Sequence, residues 1–279
     1  ERDQTASPRA SRSAQSQAAA IQPCASPPQL TVTSLDASAS SLPRATVTVA
    51  AGCAEGDVLQ GAPVLELRDA YGIVLAGVLD LSQTPLVLGE DPVTIDVTFP
   101  TRWFGWEAGV TSGALTAILS GATAGPAQPA SAVQPALSLA AGAAGLPQTT
   151  ADEAAATALK RQSQVDYQRV AALQGVWSPQ LSSKYVGLVA EGQTWTPAAI
   201  WAEFLVYEER YPGQALLIDS TQWSCYEASP QFWITNYATS FPTADGALAW
   251  CAAEGWDRDH CFAKMIGNNG TQGTTEYLP

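Results

Sequence analysis

Histidine is all but missing from this chain of 279 residues: His260 is the only one, set between Asp259 and Cys261. A zinc site of two or three histidines is therefore excluded within the chain. Any Ser-His-Asp or Cys-His device would have to use His260, which falls where a turn enters a strand. A surface or structural role suits it better. Lysine is scarce as well, with Lys160, Lys184 and Lys264 the whole supply and a formal net charge of -13. Such a chain lacks the positive field that phosphate backbones require, which argues against nucleic acid and against anionic membrane surfaces. No apolar run reaches the roughly 18 to 20 residues needed to span a bilayer. The longest candidate, Tyr71 to Leu88, is broken by Asp80, Gln83 and Pro85. CxxC, a phosphate loop and a dinucleotide fingerprint are all absent. Of the acidic pairs, Glu208 and Glu209 are neighbouring helix positions that do not converge and Asp257 with Asp259 lies in a turn, so no pair is singled out for glycoside hydrolysis. The chain reads as non-enzymatic, with no cofactor and no metal implied.

What is present begins with an apolar content of 46%, enough for a packed core. Residues 1–22 are Ser, Ala, Gln and Arg and read as a flexible arm. Residues 23–121 carry about seven short alternating runs. Leu30 to Thr33, Ala45 to Val49, Val64 to Leu67, Ile73 to Ala76, Leu86 to Leu88, Val93 to Phe99 and Leu115 to Leu119 are the candidates. Strands this short, with no helical period among them, predict an immunoglobulin-like β-sandwich by architecture alone. Residues 122–149, rich in Ala, Gly, Pro and Gln, read as a linker. A capping box at Thr150-Ala-Asp-Glu153 opens a connector helix over 150–174.

Five cysteines divide by region, and pairing Cys24 with Cys53 and Cys251 with Cys261 leaves Cys225 over. Five reduced, buried thiols are the alternative. Two such staples on a Lys-poor chain point to an oxidising, extracytoplasmic compartment. The chain opens Glu1-Arg-Asp-Gln without Met, and is expected to be a processed or trimmed portion of a longer product.

Residues 175–270 order themselves as β-α-β-β-α-β, with 271–279 a frayed tail. The first helix has Thr196 as N-cap and Pro197 at its first position, and the second starts after Thr243 and ends at Gly255. With Ile234 and Ala238 turned to the helices, strand alternation sends Trp233, Thr235 and Tyr237 to the opposite, open face. A Cys251–Cys261 bridge turns Cys261 inward, which sends Phe262, Lys264 and Ile266 outward. Ser178 and Gln180 join them from the first strand. Rings stack on the apolar faces of sugars while amides and hydroxyls bond their polar groups, so this set suits a glycan. Cover by the connector helix, by the first domain or by a protein partner is the competing possibility.

The run Trp177-Ser-Pro-Gln-Leu-Ser-Ser183, with Trp233 to Phe241 followed by Gly246-Ala-Leu248 and Gly255, resembles the SPOR-like (sporulation-related repeat) domain. That family binds peptidoglycan in bacterial envelope and division proteins. The resemblance covers about a third of the chain, and its element order is shared by ferredoxin-like domains. It departs at the long loop Asp219 to Pro230, and where Ser182 and Ala238 stand for the family's glycine. It implies an α+β fold and a secreted or surface-tethered bacterial envelope protein that binds cell-wall glycan, with the sandwich as spacer or protein-contact module. The alternatives are an accessory or adhesive subunit docking protein partners and, more weakly, a cell-wall hydrolase.

Overall fold

The computed structural model describes residues 20–36, 42–99, 115–226, 229–267 and 275–279. It is mostly β, with 41% of residues in strands and three α-helices among the described residues. The predicted arm lies outside these residues up to 19. Its end does not float: Ile21 bridges to Gln128 and packs on Val58 and Val87.

Among the described residues the first half has ten strands: β1 (Gln29–Asp36), β2 (Arg44–Ala50), β3 (Asp57–Gly61), β4 (Val64–Asp69), β5 (Gly72–Leu79), β6 (Leu81–Leu88), β7 (Val93–Thr98), β8 (Thr116–Ser120), β9 (Thr123–Ala124) and β10 (Ala136–Gly142). They form a seven-stranded sheet in the order β1-β2-β7-β10-β5-β4-β8 and a three-stranded sheet in the order β6-β3-β9. Alternation explains the packing. Val47, Val49, Ile95 and Val97 point into a core shared with Leu59, Leu81, Leu86 and Leu88 of the smaller sheet, while Thr46, Thr48, Thr94 and Asp96 take the outer face. The Cys24–Cys53 disulfide ties the segment before β1 to the turn after β2. Buried Asp57 fixes that segment further, accepting from the Cys24 and Val58 N–H groups at 2.7 Å each.

The linker expected over 122–149 is structured instead. β10 lies inside the large sheet, parallel to β7 and antiparallel to β5. Its small residues, which disguise it as a linker, are what the position demands. A Cβ added at Gly77 would sit 2.5 Å from the Ala141 Cβ, so these neighbouring strands tolerate little side-chain bulk there.

Helix α1 (Gln148–Ala171) starts two residues before the expected capping box and has Pro147 as its cap residue. Thr150 and Glu153 bond outward to the first sheet rather than to their own helix. Thr150 donates to Glu66 at 3.2 Å, and Arg68 grips both oxygens of Glu153. Arg161 pairs with Asp69 at the β4–β5 turn. Gly72 in that turn has φ +132°, and its missing Cβ admits the Thr157 hydroxyl of α1. The same helix also serves the second half. Asp152 accepts from the Ala198 N–H at 3.1 Å, and Asp166 from the Leu217 N–H at 2.9 Å.

The second half runs β11 (Trp177–Lys184), a small hairpin of β12 (Val189–Ala190) and β13 (Gln193–Thr194), α2 (Pro197–Arg210), β14 (Ala215–Asp219), β15 (Trp233–Tyr237), α3 (Ala244–Ala253), β16 (Phe262–Met265) and β17 (Thr275–Tyr277). The sheet order is β14-β15-β11-β16-β17, every pair antiparallel. The Thr196 and Thr243 hydroxyls cap α2 and α3 by accepting from the N–H groups three residues on. The Cys251–Cys261 disulfide joins α3 to the start of β16. The expected tail is a correction: β-branched Thr275 and aromatic Tyr277 let residues 275–277 add a fifth strand beside β16. Positions 271–274 lie outside the described residues.

Candidate functional site

Cross-strand register assigns each residue of the second sheet to a face, because directly paired residues share one. Trp233 pairs with Lys184 and Asp219, Thr235 with Ser182 and Leu217, and Tyr237 with Ala215. This is the face covered by α2 and α3. Leu181, Leu217 and Trp233 join Trp201, Phe204 and Tyr207 in one core, and Tyr237 stacks on Trp250 at 4.3 Å between centroids. The expectation that Trp233, Thr235 and Tyr237 face outward is therefore overturned. Helix α2 brings an aromatic layer that accepts large rings beneath it, so Ile234 turns the other way.

The second face carries Ser178, Gln180, Ser183, Leu216, Ile218, Ile234, Asn236, Phe262 and Lys264. Ser178, Gln180, Phe262 and Lys264 lie together as expected, but the face is not bare. The end of α1 and the loop after β14 lay Val170, Leu173, Trp223 and Cys225 over Leu216, Ile218 and Ile234. Ser178 is wholly buried and spent inside the fold, donating to the Tyr237 carbonyl at 2.9 Å and accepting from Asn236 at 3.3 Å. Trp195 and Trp223 are both buried.

Beside this cover the face opens into a cavity of about 460 Å3. Its floor is Gln180, Phe262 and Lys264, and its walls are built from Tyr226 and Phe232 on one side and Thr275 and Tyr277 on the other. Cys225, Ser183 and Ile234 complete it. The Phe262 and Tyr277 rings lie 5.1 Å apart, and Phe232 meets Tyr185 edge-on at 5.2 Å. Lys264 donates to the Thr275 hydroxyl at 3.0 Å and its ammonium stands 5.0 Å from the Tyr226 ring centre. Burial pulls the Lys264 pKa below the usual lysine range, with the nearby Cys225 opposing. Burial pushes the Cys225 thiol up, against the Gly267 N–H and Lys264, and raises the Tyr226 phenol well above its ordinary range. Among the described residues, the Gln180 amide oxygen and the Tyr226 hydroxyl are buried with no hydrogen-bond partner.

Three of the seven expected ligand residues, Gln180, Phe262 and Lys264, thus line the cavity. Sequence reasoning missed its walls. The Trp- and Cys-rich loop after β14 and the aromatic residue of the tail were the available signals for them.

A second polar cluster lies on the helix-covered face. Ser182 donates to Glu203, and Lys184 bonds Glu191 at 2.6 Å while resting on the Trp195 ring at 4.7 Å. Burial raises the Glu203 pKa, with Ser182 and Lys184 opposing. These groups satisfy one another, which suits a joint between β11, α2 and the small hairpin. No group of three or more His, Cys, Asp or Glu among the described residues could hold a metal ion. No described helix is long and apolar enough to cross a membrane. No known family model, curated protein or solved structure matches the chain.

Proposed function

We propose that the protein is a non-enzymatic, extracytoplasmic component of the bacterial cell envelope that binds cell-wall glycan, peptidoglycan above all, through its C-terminal half. The sugar sits in the cavity between β11, β16, β17 and the loop after β14, and not along an open sheet. One observation carries the reading: aromatic rings at Tyr226, Phe232, Phe262 and Tyr277 surround a buried amide oxygen and a lysine in a space of about 460 Å3. Rings of this kind stack on sugar faces, while Gln180 accepts from a sugar hydroxyl or acetamido N–H and Lys264 donates. The β-α-β-β-α-β order, with β11 between β15 and β16, supports a ferredoxin-like, SPOR-like domain over 175–270. Two sheets about one core support an immunoglobulin-like sandwich serving as spacer. The two disulfides support the compartment.

The test is sedimentation of the full chain with purified peptidoglycan sacculi. The wild-type chain should co-sediment, and Phe262→Ala and Gln180→Leu should release it while leaving the melting temperature within a few degrees. A folded wild-type chain that stays in the supernatant removes the proposal.

The accessory-subunit alternative rests on a different surface. The outer face of the large sheet shows half-exposed Thr48, Thr94 and Thr98 beside exposed Asp96 and Ser138. Its signature would be cross-links from that face to one defined envelope protein.

A further inference from the structure

Cys225 is the free cysteine of a fold whose other four are paired, and it lines the cavity while only 4% exposed. That burial shuts out the cysteine of another protein but leaves the thiol beside a space that a small molecule can enter. Two further groups describe what would enter. The Gln180 side chain is 3% exposed, lines the same cavity, and has a buried amide oxygen without a partner, so it asks for an N–H donor. Lys264 stands two residues along the same face on the adjacent strand and lines the same cavity, where it offsets part of the burial that holds Cys225 as a thiol and attracts a carboxylate.

We propose that the cavity captures a low-molecular-weight amino-acid disulfide of the cystine type, which Cys225 converts to a mixed disulfide. The inference rests on the cavity being the ligand site and on the oxidising compartment. The Cys225 thiolate attacks one sulfur of the bound disulfide. A new S–S bond forms to that sulfur, the old S–S bond breaks, and the released thiolate takes up the proton that Cys225 gave to solvent. The number of disulfides is unchanged, so no further oxidant is needed. The retained half places its ammonium against the Gln180 oxygen and its carboxylate against Lys264. So held, it fills the space a sugar would take, and the redox state of the small-thiol pool sets whether the glycan site is open.

The full folded chain is incubated with cystine or with the neutral hydroxyethyl disulfide, and adducts are followed by intact mass and peptide mapping. Cystine should modify Cys225 alone, faster than the neutral reagent by about tenfold, the order of advantage one close charge contact gives. Lys264→Met and Gln180→Leu should each erase that preference without lowering the melting temperature. Equal rates for the two reagents, or labelling of Cys225 only in denaturant, would overturn the proposal. Cys225→Ser separates it from glycan binding. If that variant still sediments with sacculi while the native chain takes no adduct, the capture idea falls and the glycan reading stands. An adduct on a native chain that never sediments with sacculi removes the glycan reading and upholds the capture.

Discussion

Trp233 and Phe262 are both large aromatics on the second sheet, and the difference in their surroundings sets opposite expectations for their removal. Trp233 lies beneath the α2 aromatic layer, so Trp233→Ala should cost about 3 to 5 kcal/mol in urea unfolding, as other buried Trp truncations do. Phe262 is half-buried at the cavity, so Phe262→Ala should cost only about 1 to 2 kcal/mol, the transfer value of a partly buried ring. Its larger effect should be on sacculus binding. Lys264 gives a pH signature whose sign follows from its lowered pKa. In the window between that lowered value and the ordinary lysine value, the folded chain has shed a proton that the unfolded chain still holds. Stability from this group therefore rises with pH across that window and is least where both states are protonated. Lys264→Met should flatten the slope, and should stabilise the fold near neutral pH by about 1 kcal/mol by removing a buried charge. Thermal melts of both chains across neutral to alkaline pH check the pair of effects.

Helix α1 acts as an edge guard as well as a connector. β14 ends the second sheet, and an unprotected edge strand presents free N–H groups to other chains. Asp166 answers one of them, at Leu217, while also receiving a bond from Gln162 and pairing with Arg169. Asp166→Ala should therefore cost about 1 to 3 kcal/mol, the penalty for leaving a buried amide unsatisfied. In hydrogen exchange the loss should centre on Leu217 rather than spread evenly. The elements themselves were mostly legible from sequence, because alternation marks strands and Thr196 and Thr243 announce the starts of α2 and α3. Elements whose residues are chosen by neighbours were not legible. β10 is small because β5 lies close at Gly77, and Thr150 with Glu153 serve Glu66 and Arg68 instead of their own helix. The faces of β15 were ambiguous for a plain reason. Both sides of the strand are covered, so large and polar residues fall on both faces, with Trp233, Thr235 and Tyr237 on one and Ile234 and Asn236 on the other, and only pairing register decides between them. Alternation and the Cys251–Cys261 bridge put Gln180, Phe262 and Lys264 on one face, and their strands pair directly in the structure.

At the scale of the whole molecule, α1 belongs to both halves at once. Ala154 packs into the sandwich core, whereas Ala155, Ala158 and Leu159 pack with α2, and Val170 packs on Leu216 and Ile218. A boundary drawn at residue 175 would strip the second sheet of that cover, expose Leu216 and Ile218, and free the amide at Leu217. A boundary drawn before α1 keeps those contacts and loses chiefly the pair between Arg68 and Glu153, which is partly exposed and modest, and the more buried pair between Arg161 and Asp69. Residues 143–279 should accordingly fold as a cooperative unit with the Cys251–Cys261 bridge formed, while 175–279 should show a lower melting temperature and bind a hydrophobic dye. Reduction provides an independent check on the same division. In the chain-entropy picture the 29-residue separation of Cys24 and Cys53 is worth about 3.6 kcal/mol and the 10-residue separation of Cys251 and Cys261 about 2.7 kcal/mol. Mild reductant should thus lower the sandwich transition at least as far as the C-terminal one, and calorimetry of the full chain should resolve two shifts. A single transition that moves as one body would mean that α1 couples the halves more tightly than its two sets of contacts imply.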